Sequence, residues 1–380
     1  MLRYLTAGES HGKALVALID GFPAGLKIDE AMVNAELKRR QGGYGRGGRQ
    51  KLESDKIELL SGTWQGESLG SPISFQIVNN DYKLERLKEL PRPRPGHGDL
   101  SGSIKYLSSI RGILERASAR ETAARVAAGA IAEQLLQKFD LVSAGYVVQV
   151  GKLELPAPES ISISDIIQLR DKSCIYSPCP DRDDEVKSLI DQITSDGDTL
   201  GGIIEVQVTG VPFGLGSHTQ WDKKLDGRLA QAVMSIQAIK GVEIGMGFEC
   251  GRRPGSQVHD PINYSQSEQD SATLGYQRPT NNAGGIEAGM TNGQPIVVRA
   301  AMKPISTLRK PLDSILMDSK ESNRASYERS DVCAIAAASV IVQNVVAFEV
   351  AAAFVEKFGG DSIAEIDARL KSFNQLARQK

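Results

Sequence analysis

The feature that most constrains this chain is the apolar run at 332–355, "VCAIAAASVIVQNVVAFEVAAAFV". A helix that is apolar on all faces has to be covered, either by lipid or by other protein elements. Its length suits a membrane span. Gln343, Asn344 and Glu349 interrupt it, however, and alanine dominates over leucine. We therefore read it as a buried core helix rather than a transmembrane one. A chain of 380 residues is long enough to form a large core around it.

Helical spacing also marks 29–43, with Asp29 as N-cap and glycines after the end. It marks the alanine-rich stretch 115–139, the stretch 183–197 that closes on Gly197, and a segment near 221–238. Alternating segments at 71–79, 201–212 and 294–304 read as strands. Strands and helices come in runs rather than in strict βαβ order, which favours an α+β fold with antiparallel sheets. No Ser/Pro-rich linker divides the chain, so 1–380 reads as one domain with long glycine-rich loops. There is one weak internal echo: Arg116-Ala117-Ser118 and Arg329-Ser330-Asp331 each lead into an alanine-rich helix, through internal duplication or through chance.

The formal charge is -2, which gives no general case for nucleic acid or an anionic membrane as partner. Positive charge is instead local, in "KRRQGGYGRGGRQK" (38–51) and "PRPRPGH" (91–97). Local charge on a near-neutral chain points to a small anionic ligand. The four cysteines show no CxxC spacing and have no histidine nearby, so neither a metal site nor a disulfide framework is expected. The default compartment is reducing, and no signal peptide is expected.

Three glycine-rich turns carry the candidate chemistry. "GESHG" (8–12) places Ser10 beside His11. Adjacent side chains diverge, and a hydrolase elbow reads G-x-S-x-G with its histidine far away, so His11 fits a general acid or base better than the partner of a nucleophilic Ser10. "RRQGGYGRGGRQ" (39–50) brings Arg39, Arg40, Arg46 and Arg49 on a backbone that can approach a ligand closely. It is not a Walker A loop, and the rival reading is an RG-type RNA-binding segment. "RPRPGHGDLSG" (92–102) repeats the recipe with Arg92, Arg94 and His97. His218 and His259 have weaker surroundings and read as surface residues. Further along, "RASARETAARVA" offers Arg116, Ser118 and Arg120 at a helix start, a natural anion site. "MKPISTLRKP" offers Lys303, Ser306 and Thr307, and "ERSDVC" places Asp331 at the apparent start of the apolar helix, as an N-cap or as a functional carboxylate. Together these features call for a compact polyanion bearing phosphate and carboxylates.

The composite motifs "GESHG", "GFPAGLKI", "RRQGGYGRGGRQ", "RPGHGDLSGSIKY", "RASARETAARVAAGAIA", "IKGVEIG", "KPISTL" and "RSDVCAI" resemble, in order, those of chorismate synthase, over about residues 1–355. The resemblance implies anti-1,4-elimination of phosphate from 5-enolpyruvylshikimate 3-phosphate, with reduced FMN required although no net redox change occurs. It implies a β-α-β sandwich with helices between antiparallel sheets, a homotetramer and a cytoplasmic location. By resemblance, His11 is the acid near the leaving phosphate, His97 the histidine that serves the reduced flavin, and Asp331 the carboxylate that works with it in removing the C6 proton. Ser10, Arg40, Arg46, Arg49, Arg94 and Arg120 match substrate-contacting positions, and Arg40 and Arg46 are also linked to NADPH. Arg116, Ala117, Ser118, Gln237, Ala238, Ala288, Lys303, Pro304, Ile305, Ser306, Thr307 and Arg329 match flavin-contacting positions. Two departures stand out: Gly98 where alanine is common, and Ile305 where threonine is common, which leaves only backbone contact with FMN at that position. No insertion reads as a reductase domain, so flavin reduction by an external partner is favoured over reduction by NADPH on this chain.

Overall fold

The computed structural model describes residues 1–47, 53–158, 161–328 and 330–380. Strands β1 (Arg3–Ala7), β2 (Ala14–Asp20) and β3 (Glu58–Ser61) are followed by a small hairpin of β4 (Thr63–Trp64) and β5 (Glu67–Ser68), then by β6 (Ile73–Val78). One antiparallel sheet has the order β1-β2-β6-β3. Its strands alternate as a half-buried sheet requires: Leu15, Ala17 and Ile19 of β2 point into the core, and Val16 and Leu18 point out.

The second sheet is built from β7 (Val142–Val150), β8 (Leu153–Glu154), β9 (Gly202–Thr209), β10 (Ile239–Ile244) and, later, β15 (Ile296–Met302), in the order β10-β15-β9-β7-β8. Small hairpins fill the rest: β11 (Asn263–Tyr264) with β12 (Tyr276–Gln277), β13 (Ile286–Glu287) with β14 (Met290–Thr291), and β16 (Asp313–Ile315) with β17 (Ser322–Arg324). All named pairings are antiparallel, and helices come between the runs of strands, so the fold class is α+β.

The helices are α1 (Glu30–Gln41), α2 (Asp99–Tyr106), α3 (Ile110–Ala117), α4 (Thr122–Gln137), α5 (Ile163–Lys172), α6 (Asp183–Asp196), α7 (Leu225–Met234), α8 (Ile335–Phe358) and α9 (Ile363–Ala377). Asp29 caps α1 by accepting from the Ala31 N–H, and α6 ends on Gly197 in the left-handed region. The pair α4·α8 forms the most extensive helix contact; α4 also packs on β2 and α8 on β7 and β9. Gly129 makes that contact possible, because a Cβ there would lie 2.1 Å from the Asn344 carbonyl oxygen.

The apolar run is thus a core helix. Of its most hydrophobic window, 94% is buried inside the protein. Its polar interruptions have partners: Gln343 Oε1 accepts from the Gly145 N–H (2.9 Å) and from Arg170 (3.0 Å), Asn344 donates to Glu36 (3.0 Å), and Glu349 pairs with Arg228 (3.5 Å). Burial nevertheless pushes the Glu349 carboxyl up.

Three elements differ from the sequence expectation. The stretch 115–139 is not one helix: it breaks at Ser118, whose extended backbone (φ -63, ψ 142) ends α3 and whose hydroxyl caps the next turn. The apolar helix starts at Ile335 with Ala334 as its cap position, so Asp331 lies ahead of it and caps nothing. The segment at 221–238 contains a shorter helix, α7. All four cysteines are free, and among the described residues no His/Cys/Asp/Glu group could hold a metal.

Candidate active site

The break at Ser118 and the late start of α8 leave loops where the N-terminal ends of α4 and α8 meet the C-terminal end of α1. A cleft of about 820 Å³ opens there. Among the described residues its walls carry eight Lys or Arg side chains against four carboxylates, on a chain whose formal charge is -2. The charge the sequence spreads over separate loops is therefore gathered in one place.

His11 sits in the turn between β1 and β2. Its backbone N–H donates to Glu115 Oε2 (2.8 Å), and its Nδ1 lies 3.0 Å from Glu115 Oε1. Glu115 is buried on α3, at 3% exposure. Burial alone would raise its carboxyl; the His11 ring and N–H, with Arg111 nearby, hold it below the ordinary glutamate range. With an ionised carboxylate at Nδ1, that nitrogen carries the hydrogen and Nε2 is left for the cleft. Ser10 donates its Oγ to Ser118 Oγ (3.1 Å) and its N–H to the Glu115 carbonyl (2.8 Å). It is thus a shaped part of the wall.

His97 repeats the arrangement. Its Nδ1 lies 2.6 Å from Asp99 Oδ1, and the Arg94 fork grips the same carboxylate through Nε (2.8 Å) and Nη2 (2.9 Å). Arg94 Nη2 also lies 3.1 Å from His97 Nδ1, but a nitrogen that donates to Asp99 cannot accept from Arg94, so this is a packing contact. Asp99 is fully buried. Burial opposes its charge, yet His97 and Arg94 together hold its carboxyl well below the usual range. Arg94 also donates to Thr307 Oγ1 (3.1 Å), which joins this loop to the strand exit at 303–307.

Arg40 and Arg120 share Asp55. Arg120 Nη1 reaches both of its oxygens (2.7 and 2.8 Å), and Arg40 Nη1 lies 3.4 Å from Oδ2. Burial pushes the Arg40 guanidinium down to about 10 against the pull of Asp55. Arg46 pairs with Asp331 Oδ2 (3.0 Å), whose Oδ1 accepts from the Gly47 N–H (2.6 Å). Position 47 is tight, because a Cβ there would lie 3.0 Å from the Ser330 carbonyl oxygen and the neighbour would have to give by a few tenths of an ångström.

Ala117, Ser118, Gln237, Ala238 and Lys303 to Thr307 all line the cleft. Ala238 holds a left-handed backbone (φ 67), a strained conformation of the kind found at functional sites. Gln237 donates to Glu121 (2.8 Å), while its Oε1 is buried without a partner. The Ile305 carbonyl accepts from Thr199. Two expected residues do not line the cleft. The Arg116 guanidinium turns to the carbonyls of Thr6 and Gly8, and Ala288 occupies the turn between β13 and β14. Arg49 and Arg329 lie outside the described residues. His218 and His259 are exposed.

The residues that sequence reasoning missed are mostly acids. Asp99 had a local signal, two positions after His97. Glu115 and Asp55 had none, since they meet their partners across 104 and 65 residues. Lys83, Asp81, Arg111 and Arg309 also line the cleft.

Three guanidinium nitrogens in these walls, Arg46 Nε, Arg111 Nη1 and Arg120 Nη2, are buried without a hydrogen-bond acceptor among the described residues. The carboxylates nearest the latter two, Glu115 at 3.7 Å and Glu53 at 3.8 Å, are too distant to satisfy them. Unpaired buried donors are costly, so the cleft is built for an anionic ligand.

Fold and cleft define an α+β enzyme of a small polyanion. The chorismate synthase family model matches residues 2–355. The chain is 54% identical over 380 residues to the chorismate synthase of Geobacter metallireducens, covering 96% of each chain. It is 52% identical to that of Desulforamulus reducens, covering 100% of both. A crystal structure of chorismate synthase superposes with a TM-score of 0.81 at 42% identity, covering 100% of this chain and 99% of that one. The chain belongs to the chorismate synthase family. Its activity is that of a lyase of the shikimate pathway, which eliminates phosphate from 5-enolpyruvylshikimate 3-phosphate to give chorismate. Membership implies a requirement for reduced flavin.

Proposed function

We propose that the elimination takes place in this cleft, with reduced FMN and substrate bound side by side. The observation that carries the assignment is the set of three unpaired buried guanidinium nitrogens in a wall where cations outnumber carboxylates. The volume falls near the upper end of the roughly 300–1,000 Å³ typical of small-ligand sites, which suits two ligands.

In this reading Ser10, Arg46, Arg49 and Arg94 hold substrate anions. Arg40 and Arg120, locked on Asp55, fix the positive field that favours the departing phosphate. His11, oriented through Nδ1 by Glu115, presents Nε2 as the proton donor to that phosphate. His97, oriented by Asp99, holds a proton at the cleft wall. Asp331, placed by the Gly47 N–H and Arg46, accepts the proton lost from the substrate ring.

The unpaired Gln237 Oε1 and the strained Ala238 fit a ring with N–H donors, so Gln237, Ala238, Ala117, Ser118 and the run Lys303 to Thr307 would hold FMN. When bound, the reduced flavin supplies electron density to the electron-poor allylic centre. We extend the same reading to Arg329 at the flavin and to Arg40 and Arg46 as NADPH-linked positions; Arg116 and Ala288, which do not line the cleft, stay outside it.

The chain is further read as one domain, a β-α-β sandwich with α4 and α8 between the sheets. The paired helices, each entered through a cleft loop, are what an internal duplication would leave. A cytoplasmic homotetramer, without nucleic-acid or membrane partners and with flavin reduced by an external reductase, completes the proposal.

The test is an anaerobic assay with dithionite-reduced FMN and 5-enolpyruvylshikimate 3-phosphate. Chorismate and phosphate should appear in equal amounts, and no product would sink the reading. In air, NADPH with FMN should be oxidised no faster than without the protein.

A further inference from the structure

Beside His11 lies a cation that no motif marks. The loop leaving β6 wraps the 8–12 turn: the Asn79 N–H donates to the Lys13 carbonyl (3.0 Å), and Asn79 Nδ2 donates to those of Glu9 (3.1 Å) and Gly12 (2.8 Å). The N–H groups of Lys83 (3.2 Å) and Leu84 (3.1 Å) both donate to the His11 carbonyl. Backbone bonds thus fix Lys83 next to His11, and both side chains line the cleft. Between them sits one carboxylate. Asp81 Oδ2 lies 2.7 Å from Lys83 Nζ and 3.7 Å from His11 Nε2.

The His11 turn and the Lys83 backbone are held together by main-chain bonds, so the acid is not needed to place the loop. The acid stands at the cleft-facing nitrogen of His11, where an anionic oxygen of a ligand has to come. We infer that Lys83 is a ligand-binding cation of this cleft and that Asp81 is its internal competitor: the Asp81 carboxylate occupies the His11–Lys83 locus and yields it to a phosphate oxygen of the ligand. The inference rests on the reading of the cleft given above and adds two residues to it. It also gives the carboxylate a role in turnover. When phosphate departs, Asp81 retakes the two cations and speeds product release.

The probe is inorganic phosphate, titrated calorimetrically into the full chain. Asp81→Asn keeps the shape and removes the competing charge, so phosphate should bind about tenfold more tightly, the order expected for a charge-assisted contact. Lys83→Met should weaken binding about tenfold, and the double variant should behave like Lys83→Met. A merely structural Asp81 predicts the opposite sign, because loosening the loop would weaken binding. Phosphate affinity unchanged or reduced in Asp81→Asn overturns the inference, as does absence of phosphate binding to all variants. Thermal midpoints within a few degrees of wild type show that the variants fold. The elimination assay separates the two failures: a wild type that makes chorismate while Asp81→Asn leaves phosphate affinity unmoved refutes the Asp81 role alone.

Discussion

The two histidine loops of the cleft use one device in two ways. Each imidazole gives Nδ1 to a buried carboxylate and keeps Nε2 for the ligand. For His97 the carboxylate is Asp99, two residues away in the same turn and gripped by Arg94. For His11 it is Glu115, brought from α3 across 104 residues. The first site is a local motif that carries its own orientation. The second exists only once β1, β2 and α3 have docked. A local device ties proton chemistry to the stability of one loop; a docked one ties it to the packing of the whole cleft.

The largest expected effects treat the two loops as equals. His11→Ala and His97→Ala should each lower turnover by about 10²-fold or more in the anaerobic assay, the usual scale for loss of a general acid–base group. Near-wild-type rates in either would remove that histidine from the chemistry.

The orienting carboxylates should separate the loops. Asp99→Asn leaves the Arg94 charge buried without its counter-ion and should cost about 3 kcal/mol of stability in denaturant unfolding. Glu115→Gln keeps the fold better, at about 1–2 kcal/mol, and should instead lower kcat about tenfold. Equal stability losses would break the distinction between a locally locked and a docked carboxylate.

The same variants have a pH signature. Both carboxylates are held below their ordinary range in the folded protein, so the unfolded chain takes up protons first as the pH falls. Their stabilising share is complete above the unfolded value, about pH 4, and is lost as the pH drops through the folded values. Unfolding free energies between pH 6 and pH 2 (about the carboxylate range) should therefore fall less steeply in Asp99→Asn than in wild type.

The smallest effect is expected at Ser10. Its hydroxyl donates to Ser118 Oγ and shapes the wall, so Ser10→Ala should lower turnover about tenfold or less, well short of the His11 variant. A loss as large as that of His11→Ala would return Ser10 to the chemistry.

Much of this was legible in the chain. The apolar run, the Asp29 cap, the Gly197 stop and the alternating strands follow from side-chain period and backbone preference, which act over a few residues. So do the glycine-rich turns that present His11 and His97. The break at Ser118 was not legible, because "RASARETAARVA" satisfies a helical period throughout; the contacts of Ser118 with Ser10 and of Arg120 with Asp55 and Asn79 accompany the turn. Asp331 looked like a cap for the same reason, and its actual partners, Gly47 and Arg46, lie more than 280 residues away. Sequence by itself determined which residues carry charge, protons and flexible backbone, and that a helix apolar on every face had to be covered. Only the tertiary structure decided which acid faces which base. Glu115 at His11, Asp55 at Arg120, and Asp81 at His11 are pairings across long stretches of chain, and Coulomb and hydrogen-bond forces select them only after the core has brought them within a few ångströms.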